Sequence, residues 1–262
     1  MPQKLGQHFL SDSRWRRKIS EKLQPRPGDS WLEIGPGHGE MTETLLASGA
    51  EHVIAVETDH GLAGALRDDP NRSPNLEIVE RDILEVDLPR LLGSRSKKDR
   101  VYGSLPYYIT SPILHRLFES ASLISSIDVV IQEEVAERVV AQPGSRDYGY
   151  LSVLCRFYAK PQIVLRIPPG AFRPPPRVNS AMVQMTLPGE NLILGITNTD
   201  AFLSFVQTCF TQKRKTLRNN LRAFSDETLS QAFSASSIPP SSRAEQLTLS
   251  QFAYLFLSLH PH

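Results

Sequence analysis

The sequence predicts an α/β fold in which a parallel sheet is covered by helices on both faces and is followed by a small all-helical domain. Between Ser30 and Pro188, short β-branched apolar runs alternate with helical patterns, which is typical of parallel strands connected through helices. After Gly189 the strand patterns stop, and apolar residues recur at helical spacing. We therefore expect two domains, at residues 1–188 and 189–262.

Each element is predicted from a local pattern. Strands are expected where short apolar runs are β-branched and bounded by turns, at 31–34, 53–57, 76–79, 100–103, 128–131, 163–165 and 182–185. Helices are expected at 40–47, 111–119 and 133–141, the second with Pro112 in its first turn. In the second domain, 202–210 and 247–259 have apolar residues at helical spacing, and 234–242 is expected to form a loop.

The composition is that of an ordinary globular protein with reduced cysteines. The 262 residues are 40% hydrophobic and 22% charged, and the formal net charge at pH 7 is +1. Cys155 and Cys209 lie far apart in apolar stretches, which suits buried thiols in a reducing compartment. The opening residues lack a signal-peptide core, and no stretch reaches the roughly 20 apolar residues that a membrane span needs. We expect a cytoplasmic protein without a membrane partner.

A glycine-rich turn after the first predicted strand indicates a cofactor site. Gly35 and Gly37 stand between this strand and a helix, where the backbone can approach a ligand and the helix amides face it. A dinucleotide fingerprint would need glycine or alanine at position 40, where Glu40 would repel a pyrophosphate. The turn therefore favours a cationic sulfonium cofactor over NAD, although glycine after a strand is often only a tight turn.

Two acidic residues stand where the next two predicted strands end. Glu57 ends the second strand, where a carboxylate can accept hydrogen bonds from both ribose hydroxyls, and Asp82 follows the third, where it can accept from an adenine amino group. Each alone is more often a cap or a solvated turn, but with the glycine turn they indicate one crevice at the sheet edge. His38 is expected to be an exposed turn residue, and the histidines show no metal-ligand spacing.

Motifs from residue 6 to residue 247 form a pattern that covers nearly the whole chain. They are Gly6-Gln7-His8-Phe9-Leu10, Glu33-Ile34-Gly35-Pro36-Gly37, Glu57, Asp82, Leu105-Pro106-Tyr107, and the segments 172–180, 212–219 and 243–247. This pattern resembles the bacterial ribosomal RNA adenine dimethyltransferases. The resemblance implies a Rossmann-like, seven-stranded class I methyltransferase sheet that binds S-adenosylmethionine, with a small helical RNA-binding domain after it.

The same resemblance implies a substrate and a biological setting. The substrate is the N6 atom of two adjacent adenosines near the 3′ end of 16S ribosomal RNA, each of which receives two methyl groups. The partner is this RNA within the assembling small ribosomal subunit, and the enzyme has a role in checking that assembly. We expect the chain to act as a monomer.

The chemistry of the target nitrogen indicates what the catalytic residues do. An exocyclic adenine nitrogen is a poor nucleophile because its lone pair is shared with the ring. The Ser104 hydroxyl and the Leu105 carbonyl are expected to accept hydrogen bonds from its two protons and so localise that pair, while Pro106 fixes the local backbone. Tyr107 and Phe172 are the predicted stacking faces for the unstacked base, with Phe172 in an exposed proline-rich loop. Their alternative role is as core aromatics.

This chain departs from the family pattern at two positions. The family normally has asparagine where this chain has Ser104, whose side chain is shorter, although serine occurs at the matching place in some DNA adenine methyltransferases. His8 and Leu10 match N-terminal positions that close over the cofactor in the family, and His8 also stands where asparagine is more usual. The alternative for these two residues is a disordered terminus.

Two groups of basic residues are candidate phosphate contacts. The group assigned to RNA binding is Lys213, Arg214, Lys215, Arg218 and Arg222, and a second group is Arg14, Arg16, Arg17 and Lys18. A solvated helix face is the competing interpretation of each group. The near-neutral net charge does not decide between them, and the family resemblance favours RNA.

Two other functions remain open at this point. One is a related enzyme that methylates adenosine in large-subunit RNA, against which the segments 212–219 and 243–247 weigh. The other is a binding-only assembly factor with weakened activity, which Ser104 alone supports and which the intact cofactor motifs disfavour.

Overall fold

The computed structural model describes residues 8–93 and 97–260, and its contacts divide the chain into two compact units. The first unit extends to Ala136 and resumes at Gln162–Leu187, while the second comprises Glu137–Pro161 and the chain from Pro188 onward. The last change of unit lies beside the predicted domain boundary at 188. The earlier excursion at Glu137–Pro161, which groups with the C-terminal helices, was not predicted. The division into two domains stays a prediction.

A seven-stranded sheet forms the centre of the first unit. Its strands are β2 (Ser30–Ile34), β3 (His52–Glu57), β4 (Leu76–Glu80), β5 (Asp99–Ser104), β6 (Ile124–Gln132), β7 (Lys160–Ile167) and β9 (Ser180–Thr186). The strand order is β4-β3-β2-β5-β6-β9-β7, and every predicted strand lies within an observed one. The predicted α/β fold is confirmed.

The order of the strands creates a crevice. β2 pairs in parallel with both β3 and β5, so the chain order reverses at β2, and open α/β sheets bind ligands at such a reversal. β4 and β6 extend the parallel sheet on either side, whereas β9 runs antiparallel to β6. A separate two-stranded sheet joins β1 (Phe9–Leu10) to β8 (Phe172–Arg173) in antiparallel register.

Helices account for the remaining regular structure of the described residues. They are α1 (Ser13–Leu23), α2 (Glu40–Ala47), α3 (His60–Arg67), α4 (Leu88–Leu92), α5 (Thr110–Glu119), α6 (Glu133–Val140), α7 (Tyr150–Tyr158), α8 (Thr199–Cys209), α9 (Leu217–Asn220), α10 (Asp226–Ala235) and α11 (Leu249–Leu259), with four short 3₁₀ turns. All five predicted helices are present. The predicted loop at 234–242 begins later than expected, because α10 continues to Ala235.

Each unit buries its own apolar cluster. In the first unit, Trp31 packs with Ile19 and Leu23, so α1 lies against one face of the sheet. In the second, Phe202 and Phe252 from different helices share a cluster with Phe157. Burial of such a side chain stabilises the fold by about 1.5–3 kcal/mol relative to its exposure. No described helix is long and apolar enough to span a membrane.

A charged network lies at the opposite end of the sheet from the crevice. Arg100, near the start of β5, donates to the carbonyl of Leu23 (Nη2–O 2.5 Å), which ends α1, and pairs with Asp29 (Nη1–Oδ2 3.0 Å). Its guanidinium lies 4.2 Å from the Trp31 ring centroid and 3.9 Å from the fully buried Asp128 carboxylate. Burial raises the pKa of Asp128. Arg100 therefore compensates a buried acid and also attaches α1 to the sheet.

Candidate functional site

One cavity lies at the carboxyl ends of β2, β3 and β5. Every residue predicted from the sequence to bind the cofactor or to act in catalysis lines it: His8, Leu10, Gly35, Gly37, Glu57, Asp82, Ser104, Leu105, Pro106, Tyr107 and Phe172. The structure thus brings together residues that are up to 164 positions apart, from His8 to Phe172. Their individual roles stay predictions.

The glycine turn leaves room that a side chain would fill. Gly35 and Gly37 have φ angles of +67° and +60°, a conformation that L side chains rarely adopt. A Cβ atom on Gly37 would lie 3.0 Å from the Phe9 ring, so the turn also permits the close approach of β1. His38 is exposed, as predicted, and its ring contacts Phe9 with centroids 4.7 Å apart.

The Glu57 carboxylate is buried and held by backbone amides. Its Oε2 accepts from the Gly37 N–H (3.2 Å) and its Oε1 from the Asp59 N–H (2.9 Å). Burial nevertheless raises the pKa of Glu57 above its ordinary value. Asp82 is half-buried, and its Oδ1 accepts from the Leu84 N–H (2.9 Å). Two acceptor groups therefore reach the cavity from neighbouring strand ends.

Glu33 is a buried acid of the cavity that was not among the predicted site residues. It lies inside β2 with 1% of its surface exposed, and its Oε2 accepts from the Thr42 hydroxyl (2.6 Å). Burial, reinforced by the nearby carboxylates of Glu40 and Glu57, raises the pKa of Glu33 to about 7. Two features of the sequence could have indicated it: Glu33 is a carboxylate in a largely apolar strand, and it opens the motif that runs to Gly37.

The raised pKa of Glu33 predicts a pH-dependent stability difference. Because the folded state binds this proton more tightly than the unfolded state, the unfolding free energy falls as pH rises between about 4.5 and 7. We expect Glu33→Gln to equal wild type near pH 4.5 and to be more stable by up to about 3 kcal/mol at pH 8. Urea unfolding at both pH values measures this difference, and a difference that stays constant with pH would contradict the assignment.

The segment that follows β5 carries the predicted catalytic residues. The Leu105 N–H donates to the Val130 carbonyl (3.0 Å), which continues the sheet hydrogen bonding past Ser104. The Tyr107 hydroxyl lies 2.8 Å from the Ser180 hydroxyl, and burial raises the pKa of Tyr107. Among the described residues, none forms a hydrogen bond with the Ser104 hydroxyl or the Leu105 carbonyl. Both groups are therefore available to a ligand.

The N-terminal segment from His8 onward covers the cavity. β1 pairs with β8 through Phe9 and Leu10, and the His8 Nδ1 lies 2.8 Å from the Pro174 carbonyl. His8 and Leu10 therefore belong to an ordered segment and not to a disordered terminus. Gly6 and Gln7, which the sequence pattern also includes, lie outside the described residues.

The predicted environment of Phe172 is wrong. The proline-rich sequence around it indicates an exposed loop, but Phe172 lies in β8 with 2% of its surface exposed and packs in the same cluster as Trp31. The prolines occupy the turn after β8, while the pairing of Leu10 with Phe172 fixes the backbone before it. The side chain is thus directed inward and borders the cavity through a small fraction of its surface.

The five basic residues assigned to RNA lie in the second unit and differ in their partners. Lys213 donates to the Arg146 carbonyl and lies 3.9 Å from Glu245, Arg218 pairs with Asp226, and the Arg222 Nε donates to the Asn219 carbonyl (3.2 Å). Arg214 and Lys215 are exposed, and neither pairs with another described side chain. Of the five residues, these two are therefore the most available to bind a polyanion.

The second basic group is largely engaged within its own segment. Arg14 pairs with Asp12, Arg17 with Glu21, Arg16 with Glu40, and the Lys18 ammonium lies 4.2 Å from the Trp15 ring centroid. Arg16 also lines the cavity. These contacts favour a role in fixing α1 over a role as free phosphate contacts.

Comparisons with known proteins agree on one family. The family model described as ribosomal RNA adenine dimethylase matches residues 2–260. A protein of Acidobacterium capsulatum named ribosomal RNA small subunit methyltransferase A is 43% identical over 98% of this chain and 90% of its own length. A protein of the same name from Koribacter versatilis is 41% identical over 98% of this chain and 93% of its own length.

Two solved structures are similar to this chain over nearly its whole length. The crystal structure of a dimethyladenosine transferase from Plasmodium falciparum matches with a TM-score of 0.77 and 25% identity, covering 95% of this chain and 96% of that one. The crystal structure of the 23S rRNA methyltransferase ErmE matches with a TM-score of 0.69 and 27% identity, covering 96% of this chain and 99% of that one. The resemblance found in the sequence is confirmed, and the chain belongs to the ribosomal RNA adenine dimethylase family.

Proposed function

We propose that this chain transfers two methyl groups to the N6 atom of each of two adjacent adenosines near the 3′ end of 16S ribosomal RNA. It acts in the cytoplasm, as a monomer, on the assembling small ribosomal subunit. The observation that carries this proposal is the assembly of all the predicted cofactor and catalytic residues around one cavity of a family member. Relatives that are 38–43% identical over nearly the whole chain are named small subunit methyltransferases.

The family membership makes the chain an S-adenosylmethionine-dependent methyltransferase of ribosomal RNA adenines, and the cavity fits this cofactor. Gly35 leaves open space where a Cβ atom would stand, Gly37 admits the Phe9 ring at close range, and Glu57 and Asp82 offer acceptors for ribose hydroxyls and an adenine amino group. The cavity also holds the carboxyl groups of Glu33 and Glu57, and a ligand that carries positive charge would favour their ionised forms. When bound, S-adenosylmethionine supplies an electrophilic methyl group on a sulfonium centre.

The residues after β5 are suited to hold the target nitrogen. The Ser104 hydroxyl and the Leu105 carbonyl accept hydrogen bonds from the two amino protons, which withdraws the nitrogen lone pair from the ring. Pro106 lacks an N–H that could compete for these acceptors, and Tyr107 offers a ring face for the base. The proton released in each transfer leaves to water, because the methylated ammonium product is acidic.

Arg214 and Lys215 support an RNA-binding role for the second unit. Both are exposed and have no acidic partner among the described residues, so their charge is not neutralised within the protein. Lys213, Arg218 and Arg222 complete the proposed contact surface, although they would exchange internal partners for phosphates.

Methyl transfer from labelled S-adenosylmethionine to unmethylated small subunits tests the proposal. Mass analysis of the modified adenosines is expected to find two methyl groups on each. A Ser104→Asn variant should increase the rate of transfer about fivefold, since its longer acceptor gains about 1 kcal/mol from a better hydrogen bond to the nitrogen. Ser111→Asn, at an exposed position of α5, is the matched control and is expected to leave the rate unchanged.

Other outcomes separate the alternatives. If wild type transfers no methyl group while Ser104→Asn does, the chain is a binding-only assembly factor. If neither protein modifies the small subunit and both modify large-subunit RNA, the proposed substrate is wrong.

A further inference from the structure

Tyr108 is an exposed aromatic residue at the mouth of the cavity. Its surface is 66% exposed, and it lines the same cavity as Ser104 and Tyr107. The described part of the chain leaves four other large apolar side chains exposed, and none of them lines this cavity. An apolar ring is therefore presented to solvent at the entrance to the site where the proposed reaction takes place.

A hydrogen-bonded turn fixes the backbone of Tyr108. The Ile109 N–H and the Thr110 hydroxyl both donate to the Pro106 carbonyl, each over 3.2 Å. Pro106–Ile109 is thus a four-residue turn with the two tyrosines at its central positions. The turn leads directly into α5, whose Ile113 N–H donates to the Ile109 carbonyl (3.1 Å). The Tyr108 ring is therefore carried by a rigid part of the backbone, although the side chain itself is exposed.

The two adjacent tyrosines differ in their surroundings. Tyr107 is half-buried, its hydroxyl lies 2.8 Å from the Ser180 hydroxyl, and its ring contacts the His8 ring with centroids 5.9 Å apart. Among the described residues, no hydrogen bond or ring contact involves the Tyr108 side chain. Tyr107 is thus engaged with other residues of the cavity, whereas the Tyr108 ring keeps its surface open.

The proposed substrate needs such a surface. An adenosine that enters the cavity leaves its stack, so the base next to it in the RNA loses a stacking partner. That neighbouring base is joined to the target adenosine through a single phosphodiester and must lie at the mouth of the cavity. Aromatic side chains bind unstacked bases through their ring faces, with little dependence on which base is present.

We propose that the Tyr108 ring stacks on the base next to the target adenosine and replaces the stacking partner that this base has lost. The inference rests on the proposed function and adds a substrate contact outside the group that holds the target nitrogen. The ring lies on one side of the entrance, and the two adenosines enter in turn. It therefore meets the partner adenosine while one of the two is in the cavity, and the nucleotide beyond the pair while the other is.

Methyl transfer to unmethylated small subunits tests this contact. Tyr108→Ala is expected to lower kcat/KM about tenfold, while Tyr108→Phe, which keeps the ring, stays within about twofold of wild type. The affinity for S-adenosylmethionine, measured by calorimetry, should be unchanged in both variants. Tyr254→Ala is the matched control, because Tyr254 is 63% exposed on α11 and does not line the cavity, and it should leave kcat/KM unchanged.

Subunits with an abasic residue in place of one target adenosine identify the base that Tyr108 contacts. They are assembled on 16S RNA with a ligated 3′ segment, and each of the two possible substrates retains one adenosine to methylate. The tenfold difference between wild type and Tyr108→Ala is expected to fall to within about twofold on one of them and to persist on the other, because ring and base contribute a single interaction.

A binding measurement separates this inference from the proposed reaction. Fluorescence of 2-aminopurine at the partner adenosine should stay quenched when wild type binds and rise when Tyr108→Ala binds, and it requires no turnover. The inference is overturned if Tyr108→Phe is as impaired as Tyr108→Ala, if Tyr108→Ala weakens cofactor binding, if the tenfold difference persists on both abasic substrates, or if wild type and Tyr108→Ala give the same fluorescence. Transfer by wild type to intact subunits tests the proposed function by itself.

Discussion

Replacing Glu57 by glutamine is expected to weaken S-adenosylmethionine binding by about a hundredfold while leaving the protein folded. The carboxylate accepts from the Gly37 and Asp59 amides and offers its remaining lone pairs to the ribose. A glutamine presents one oxygen, so its NH₂ group would face one of these amides or a hydroxyl. A hundredfold loss corresponds to about 2.7 kcal/mol, the value of one to two hydrogen bonds to a charged group.

Stability should be little affected by this change. Burial already raises the pKa of Glu57, so removal of the buried charge offsets the lost amide hydrogen bond. Glu80 pairs with Glu57 across β3 and β4 but takes its partners outside the cavity, from His60 and Arg67, so Glu80→Gln is the matched control. Isothermal titration of the folded variants measures the effect. If Glu57→Gln binds S-adenosylmethionine with wild-type affinity, Glu57 is not part of the cofactor site.

Replacing Arg100 by methionine is expected to lower the unfolding free energy by about 3–5 kcal/mol, because it leaves a buried carboxylate without its positive partner. The Asp128 carboxylate is fully buried and is otherwise bound by the neutral side chains of Ser126 and Gln184. The change also removes the hydrogen bond to Leu23 that caps α1. Urea unfolding followed by tryptophan fluorescence measures the loss, since Trp31 lies directly beside the guanidinium.

A second substitution distinguishes the uncompensated charge from lost packing. Asp128→Asn combined with Arg100→Met should recover more than half of the lost stability, because asparagine is neutral and can still accept from Gln184. Arg67→Met removes only an exposed ion pair with Glu80 and should cost less than about 1 kcal/mol. If the double variant is no more stable than Arg100→Met, the buried acid is not the cause.

The strands were predictable from the sequence because each is short, apolar and bounded by turns. β2 and β3 are buried almost throughout, so their residues need no alternation of polar and apolar positions. α7 was harder to predict, since its Tyr150, Val153 and Phe157 are residues that strands also favour. No local sequence pattern predicts the two-residue pairing of β1 with β8, because its partners are more than 160 positions apart.

The cavity residues that could be predicted are those whose residue type is required by the local backbone. Gly35 and Gly37 need positive φ angles, and Glu57 ends a strand, so their places follow from local sequence. The burial of Phe172 depends on pairing with a strand that is distant in sequence, whereas the surrounding prolines indicated an exposed loop. The raised pKa of Glu33 depends on tertiary burial and on two other carboxylates, which periodicity does not reveal.

Residues Glu137–Pro161 interrupt the first unit in sequence and belong to the second unit. The folding of the two units is therefore linked during synthesis. β7 and β9 leave the ribosome after α7, whose Val153 and Phe157 pack with Phe202 and Phe252. At a synthesis rate of about 5–20 residues per second, several seconds pass between the synthesis of α7 and that of α8 and α11. The apolar side of α7 stays unburied during this time. A fragment ending at residue 188 would contain the whole sheet and would still expose this helix. The residues of the sheet unit therefore pack together, but they do not form one uninterrupted stretch of the chain that could be separated from the rest.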